Sequence, residues 1–448
     1  MSALATCTES LGGRVLSAAE IFEISRARER SLSRLLILYI TTGLAFMLLP
    51  GTFLGVWNLL AISSHRAADS VSAGWVQAHG HAQIFGWIGT FILGIGFYSI
   101  PKLRLMNPFA LSAAWTCWAL WTAGISLRWL TGVYQWQWRA VLPFSAVLEL
   151  AAFLIFFSSV SGHRPKDAGK KSLEKWVLVV IAASIGLLAT LVVNFGTTLF
   201  LAVRGTSPEV PTAFDQRFLV IETWGFLVPF VWGFSAKWLP VFLGLRPNRG
   251  PWLLGAVGVN SIGVLIAMVG WIRPAAAALF SGMLISVCAL RLFESAQQPS
   301  KTKGVHSSFP VFVRMAYLWA ILSAALGIWA SMIPDSHGIL GASRHALTVG
   351  FLATMVFSIG QRVLPAFSGM RLLFSTKLMF VALVLLTIGC FLRVSSEVIA
   401  YQGFGNWAWK WLPASAITEM TAVTVFTLNL MLTFSSRPQS SETQQPSR

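Results

Sequence analysis

The sequence predicts an all-α polytopic membrane protein. Of its 448 residues, 55% are hydrophobic and only 11% are charged. Apolar runs recur from Leu35 to beyond Asn429, and each is close to the roughly 20 residues that a helix needs to cross a bilayer. Because these runs are too long and too uniformly apolar for the strands of a membrane barrel, helices are the expected element.

Twelve transmembrane helices are predicted in chain order. They cover residues 35–57, 74–100, 109–130, 140–160, 176–202, 218–243, 251–271, 274–294, 311–333, 342–366, 376–395 and 411–434. The domain organisation that follows is a cytoplasmic N-terminal segment (1–34), a transmembrane domain (35–434) and a disordered cytoplasmic tail (435–448), which is polar throughout.

The basic residues predict the orientation of the chain. The formal net charge is +17, and with a cytoplasmic N-terminus 24 of the 33 Lys and Arg residues fall at cytoplasmic ends or loops. The positive-inside rule accounts for this distribution, so the charge does not indicate nucleic-acid binding. We expect a multi-pass protein of a bacterial inner membrane with both termini in the cytoplasm.

One template recurs in the second, sixth and tenth predicted spans. His81 precedes Pro101 by twenty positions and His345 precedes Pro365 by the same number, which is roughly 30 Å of helix. The spacing from glycine to proline is equal in all three spans, 86 to 101, 225 to 240 and 350 to 365. These spans are interpreted as corresponding helices of a threefold repeat, so we expect three pseudo-symmetric four-helix units.

The histidine motifs resemble those of a known family. Twelve spans in three arcs are the plan of subunit I of heme-copper oxidases. Trp75-Val-Gln-Ala-His79-Gly-His81-Ala-Gln-Ile-Phe-Gly86 and Arg344-His345-Ala-Leu-Thr-Val-Gly350 are similar to the two signatures of the NnrS family. The resemblance implies a membrane protein that holds heme, and in the family also copper, and that takes part in bacterial handling of nitric oxide.

His81 and His345 are the predicted axial ligands of a low-spin heme b. They occupy identical positions in the repeat, and histidines from two helices can bind a porphyrin from both faces. Intramembrane ionisable residues are costly and usually functional. A single histidine near the start of a helix can also serve only as a hydrogen-bonding or interfacial residue, and this alternative stays open for His345.

Three further residues are predicted at the same depth. His79 lies about 200° around the helix from His81, so it either faces a second centre or supports the first one. A second metal bound by His79 and Glu222 is one hypothesis, because Glu222 takes the repeat position of Gln83. Arg344 either anchors a heme propionate, which a guanidinium binds bidentately, or only marks the end of a span. Glu149 and Glu419, two further buried acids, are left outside the predicted site.

The sequence departs from true oxidases where their copper is bound. No histidine occurs between Arg164 and Val305, which includes the whole sixth span, so four-electron reduction of oxygen is not expected. The predicted function is a heme-binding, NnrS-like protein of the nitrosative stress response that binds a small ligand such as nitric oxide and has a possible redox partner. The alternatives are a respiratory electron-transfer subunit and, third, a metal or proton-coupled transporter, which inverted repeats rather than a threefold one would favour.

Overall fold

The chain folds into long helices connected by short loops. A computed structural model describes residues 10–11, 14–15, 17–104, 106, 109–161, 173–333 and 336–436. The whole of the basic loop 164–171 and the tail beyond Ser436 therefore lie outside the described residues. The helices are α1 (18–65), α2 (Ala73–Leu103), α3 (Leu111–Tyr134), α4 (Trp138–Ser161), α5 (Lys175–Arg204), α6 (Thr212–Leu243), α7 (Gly250–Val269), α8 (Ile272–Leu290), α9 (Phe309–Met332), α10 (337–367), α11 (Thr376–Tyr401) and α12 (Ala408–Ser435). A two-residue antiparallel pair, Ser10–Leu11 with Arg14–Val15, precedes them.

The prediction of a polytopic, all-helical membrane protein is confirmed. Within the described residues, eleven helices are long and apolar enough to cross a membrane. The third predicted span coincides with α3, a helix of 24 residues that is not among those eleven. The first helix begins at Ala18, within the segment predicted to precede the membrane, where Ser17 and Glu20 form a capping box.

The helices α2, α6 and α10 form the centre of the fold. In their most apolar windows 83%, 61% and 72% of the residues are buried, whereas no other candidate span exceeds 50%. The helices α1, α5 and α9 each pack against the central helix that follows them in sequence. The remaining helices pair as α3 with α4, α7 with α8 and α11 with α12, and α12 also packs against α1.

Each central helix contains a π-helical segment at the same repeat position. The segments Ala82–Gly89, Ile221–Leu227 and Ala346–Ala353 all begin nineteen residues before the conserved proline position of their helix. A fourth π segment, Met47–Phe53, lies in α1. π-helical turns are rare and often occur at functional sites. The repeat inferred from glycine and proline spacing therefore extends to the backbone geometry of the three helices.

Side-chain donors add to the backbone hydrogen bonds of the wide turns. Thr90 and Thr354 each follow a π segment directly and donate to the carbonyl five residues earlier, that of Phe85 and of Val349. The corresponding position in α6 is Pro229, which has no amide hydrogen to donate. Trp121 of α3 also donates its indole hydrogen to the carbonyl of Phe85, at 3.2 Å. The same π-helical segment therefore occurs with a threonine at this position in α2 and α10 and with a proline in α6.

Glycines allow the outer helices to approach the π segments. A Cβ atom added at Gly86 would lie 2.9 Å from Phe46 of α1, and one added at Gly350 would lie 2.6 Å from Trp319 of α9. In the middle unit the approach is closest, because a Cβ at Gly186 of α5 would lie 1.9 Å from the carbonyl oxygen of Gly225. Backbone-to-backbone packing at small residues is a common way to associate membrane helices.

We predict that Gly186→Ala destabilises the protein by about 1–3 kcal/mol or more, the usual cost of overpacking. The added methyl group would overlap the backbone of α6, which cannot move without disturbing the π segment. Thermal unfolding in detergent, followed by size-exclusion chromatography, measures the effect. Gly196→Ala on the same helix is the matched control, because a Cβ there meets nothing within 4 Å. Equal melting temperatures for the two variants would contradict the close approach.

Candidate functional site

Ionisable side chains from several helices gather around the starts of the π segments. We call this group the polar layer, and its members are His79, His81, Arg128, Glu149, Asp215, Glu222, Arg344, His345, Arg393, Glu397 and Glu419. Charged groups are expensive to bury unless they are paired. The contacts within the layer therefore decide which of its side chains are free to bind a ligand.

His81 is held by an acid from α4. Its Nε2 atom lies 2.9 Å from Oε1 of Glu149, and both side chains are buried. The other carboxylate oxygen accepts a long hydrogen bond, 3.4 Å, from Asn194 of α5. The His81 ring also stacks on Phe85, with ring centroids 4.5 Å apart. The imidazole nitrogen that would bind a metal is thus engaged with a carboxylate.

His345 has the opposite arrangement of its two ring nitrogens. Its Nδ1 atom lies 2.9 Å from the carbonyl oxygen of Gly341 and 3.1 Å from Glu397 Oε2. Its Nε2 atom lies 3.4 Å from Nη2 of Arg393. A guanidinium can only donate, so the geometry assigns the proton to Nδ1 and a lone pair to Nε2.

His79 resembles His345 rather than His81. Its Nδ1 atom is 2.8 Å from the carbonyl oxygen of Gly51, a contact in which the imidazole must be the donor. Its ring packs closely on Gly55, where an added Cβ would lie 2.6 Å from the ring. His79 interacts electrostatically with His345 and Arg393. His79 of α2 and His345 of α10 therefore share one tautomer, with Nε2 as the acceptor nitrogen of each ring.

Glu222 and Arg344 lie in a second part of the polar layer. Glu222 is buried on α6 and interacts electrostatically with Asp215, Arg128, Glu149 and Arg344. The predicted pairing of His79 with Glu222 at a second metal stays a prediction. Arg344 interacts with Asp215, Glu397 and Glu222. It thus links the acids around His81 to those around His345, in addition to any role at a propionate.

Four residues of the layer, Arg128, Asp215, Arg393 and Glu397, were missed by the sequence reasoning. Arg128 of α3 is buried, and one of its terminal nitrogens, Nη1, has no hydrogen-bond partner among the described residues. Arg393 of α11 pairs with Glu397 one turn later, at 3.4 Å, and its Nη1 atom also lacks a partner among the described residues. Orphaned buried donors are rare in folded proteins and require an explanation.

A repeated motif could have identified the two arginines. Gly124-x-x-x-Arg128 in α3 corresponds to Gly389-x-x-x-Arg393 in α11, and Leu-Pro-x-Ser-Ala-x-x-Glu occurs at 142–149 in α4 and at 412–419 in α12.

The two motifs pack in the same way. A Cβ at Gly124 would lie 2.8 Å from Glu149 Cγ, and one at Gly389 would lie 2.6 Å from Glu419 Cγ. Both motif serines donate to the carbonyl three residues earlier. The acids that the sequence reasoning left outside the site, Glu149 and Glu419, are therefore equivalent members of it.

The donor atoms do not form a conventional metal cluster. Among the described residues no group of three or more His, Cys, Asp or Glu side chains could hold a metal ion. A copper site of several protein ligands is therefore not supported by the residues present. What the arrangement offers is a pair of imidazole nitrogens from two helices, surrounded by buried guanidinium groups.

The comparisons with known proteins agree with the fold. A solved heme-copper terminal oxidase, described as a dimer, superposes with a TM-score of 0.61 over 92% of this chain and 86% of that chain, at 11% sequence identity. A family model described as a domain of unknown function, DUF8744, matches residues 241–434. No curated protein sequence matches the chain. The chain therefore has the fold of a heme-copper terminal oxidase, and at this identity the likeness shows the fold alone.

We predict strong coupling between Arg393 and Glu397. Either Arg393→Leu or Glu397→Leu leaves an uncompensated charge in a buried site and should cost about 3–5 kcal/mol, whereas the double variant should cost less than the sum. Thermal unfolding in detergent of the wild type, the two single variants and the double variant measures the coupling free energy between the two side chains. The exposed pair Arg249–Glu294 is the control, with an expected coupling of about 1 kcal/mol or less. Additive losses at Arg393 and Glu397 would contradict the pairing.

Proposed function

We propose that this protein is a heme-binding membrane protein of the NnrS type that binds nitric oxide in the response to nitrosative stress. The observation that carries the proposal is the pair of imidazoles on α2 and α10. Each donates Nδ1–H to a backbone carbonyl, of Gly51 or of Gly341, and presents the Nε2 lone pair. Hydrogen bonding of the second ring nitrogen is the usual way to fix a metal-binding histidine.

The residues of the polar layer fit a heme. His79 and His345 would hold the iron of a heme through their unprotonated Nε2 atoms, and Nε2 of His345 would first have to leave Nη2 of Arg393, 3.4 Å away. The pairing of His81 with His345 stays a prediction, but Nε2 of His81 would first have to leave Glu149. The unpartnered nitrogens of Arg128 and Arg393 and the guanidinium of Arg344 are suited to the carboxylates of a porphyrin.

A bound heme would supply reversible electron transfer and an iron centre for a small ligand. The chain's own residues would hold it, keep water out and compensate its charge. Burial of Glu149, Glu222 and Glu397 close to three arginines provides fixed charges of both signs. Copper, which the family resemblance implies, has no comparable set of ligands within the described part of the chain, and no step is assigned to it.

The proposal includes a membrane arrangement. Twelve spans would form three four-helix units, with α3 as the span that composition alone does not identify, and would place both termini in the cytoplasm of a bacterial inner membrane. Support comes from the common π register of α2, α6 and α10 and from the partition of basic residues. The polar layer would then face the outer side.

A respiratory electron-transfer subunit is the second candidate. The likeness to a heme-copper terminal oxidase over most of the chain favours it. The position in α6 that corresponds to His81 and His345 is Val220, so α6 has no histidine for the copper centre of such an oxidase. Cyanide-sensitive oxygen uptake with an artificial electron donor would favour this candidate over the first.

We predict that the purified protein shows the Soret band of a low-spin heme b and that His79→Ala or His345→Ala abolishes it. His306→Ala is the matched control, because His306 hydrogen-bonds Ser308 in a loop away from the polar layer. Absorption spectra of oxidised and reduced protein, with nitric oxide added to the reduced form, measure the outcome. His81→Ala distinguishes the pairing of His79 with His345 from that of His81 with His345. If the low-spin spectrum is lost in His81→Ala but retained in His79→Ala, the ligand is His81 and not His79.

A pair of glycines refines the same experiment. Gly55→Val would push against the His79 ring, since even a Cβ would lie 2.6 Å from it, whereas a Cβ at Gly80 meets nothing within 4 Å. Gly55→Val should weaken or shift the low-spin spectrum, and Gly80→Ala should leave it unchanged. The absence of any Soret band from protein made in heme-replete cells would refute the proposed function.

We predict that α3 crosses the membrane. A reporter active only outside the cytoplasm should be active when fused within 135–137 and inactive when fused at Met106, because the two points flank α3. Activity of a cytoplasm-only reporter at 135–137 would remove α3 from the spans. Fusions after Ser435 test the predicted cytoplasmic C-terminus.

A further inference from the structure

A small cavity lies between the three central helices. Its volume is about 120 Å³, and its walls come from α2, α6 and α10 alone. Phe91 and Ile95, Phe230 and Val231, and Met355 and Val356 are representative lining residues. Because all three corresponding helices contribute, the cavity occupies the pseudo-threefold axis of the repeat.

The walls of the cavity offer almost nothing for water to bind. Ser235 is the lining residue with a hydroxyl group, and that group already accepts a hydrogen bond of 2.8 Å from Tyr317 of α9. Trp238 stacks its ring on Phe234, with centroids 5.1 Å apart. A buried water needs two to four polar partners, and cavities lined by aliphatic and aromatic side chains stay dry.

Aromatic rings separate the cavity from the polar layer. Phe85 of α2 stacks on Phe226 of α6, with centroids 6.5 Å apart, and Phe226 meets the lining residue Phe230 edge-on at 5.5 Å. On its other side Phe85 stacks on His81. The cavity thus lies directly beneath the π segments and is joined to His81 by a continuous row of rings without polar groups.

The size of the cavity limits what can enter it. Sites for cofactors and drug-sized ligands usually occupy about 300–1,000 Å³, so a porphyrin does not fit. Dry engineered cavities of about 150 Å³ bind xenon or benzene. A ligand of this cavity must therefore be uncharged, nonpolar and of only a few atoms.

We propose that this cavity binds one small nonpolar molecule of the class of uncharged diatomic gases. Transfer of such a molecule from water into an apolar site is favourable, and the bilayer that surrounds the helices supplies it at higher concentration than water does. Occupancy of the cavity depends only on the packing of α2, α6 and α10. Its use as a reservoir for a ligand of the polar layer rests, in addition, on the proposed function.

Xenon is the probe that tests the site. Crystals of the full chain grown in a lipid phase and exposed to xenon should show an anomalous scattering peak among Phe91, Phe230 and Met355. Gly360→Leu should abolish this peak, because Gly360 lines the cavity and an added Cβ there makes only ordinary contacts, at 3.6 Å and beyond. Gly255→Leu is the matched control, since a Cβ at Gly255 meets nothing within 4 Å.

Each outcome decides the inference. A peak in the wild-type protein and in Gly255→Leu, lost in Gly360→Leu, supports it. Absence of a peak in wild-type crystals, an ordered water in the cavity, or an unchanged peak in Gly360→Leu overturns it. Xenon binding requires no heme, so this result is independent of the proposed function. If heme is present, slower nitric oxide association in Gly360→Leu with an unchanged spectrum would connect the cavity to the polar layer.

Discussion

The cost of burying charge within a membrane protein governs the organisation of this fold. The two histidines at the repeat position pair with ionisable groups on neighbouring helices: His81 meets an acid of α4, and His345 meets an arginine and an acid of α11. An isolated charged side chain in such an apolar setting would become neutral through a shift of its pKa, or it would destabilise the fold. The pairings therefore tie the central helices to the outer ones and determine which imidazole nitrogens remain free.

The three central helices share one backbone feature but differ in chemistry. All three have a π segment at the same position, whereas only α2 and α10 combine a histidine with neighbouring helices that carry the Gly-x-x-x-Arg and Leu-Pro-x-Ser-Ala-x-x-Glu motifs. The middle helix, α6, has Val220 at the histidine position and contributes Glu222 instead. The two histidines with their motifs therefore lie around two of the three central helices, whereas apolar side chains of all three line the small cavity.

The polar layer and the cavity impose opposite requirements on the same helices. Above Phe85 and Phe226 the helices must satisfy charges, and the wide π turns allow carbonyls of the backbone, such as that of Gly51, to accept from side chains. Below these rings the same helices line the cavity with aliphatic and aromatic side chains, and the hydroxyl group of the lining residue Ser235 is hydrogen-bonded to Tyr317. The rings of Phe85 and Phe226 therefore separate a site suited to a charged cofactor from one suited to an uncharged ligand.

The sequence by itself determined the fold class, the positions of the helices and the register of the central repeat, because hydropathy and the spacing of histidine, glycine and proline are local properties of the chain. It also predicted a common depth for His79, His81, Glu222, Arg344 and His345. Only the tertiary structure decided which partner each one has. Arg128 and Arg393 lie on helices whose own hydropathy reveals no site, and their duplicated motif can be interpreted only once α3 and α4 are seen to pack like α11 and α12. Glu397 is identified only by its contacts with His345 and Arg393. The tautomers of His79 and His345 depend on the carbonyls of Gly51 and Gly341 and on the guanidinium of Arg393. Hydrogen bonds between helices depend on how the helices pack, and no local sequence pattern specifies that packing.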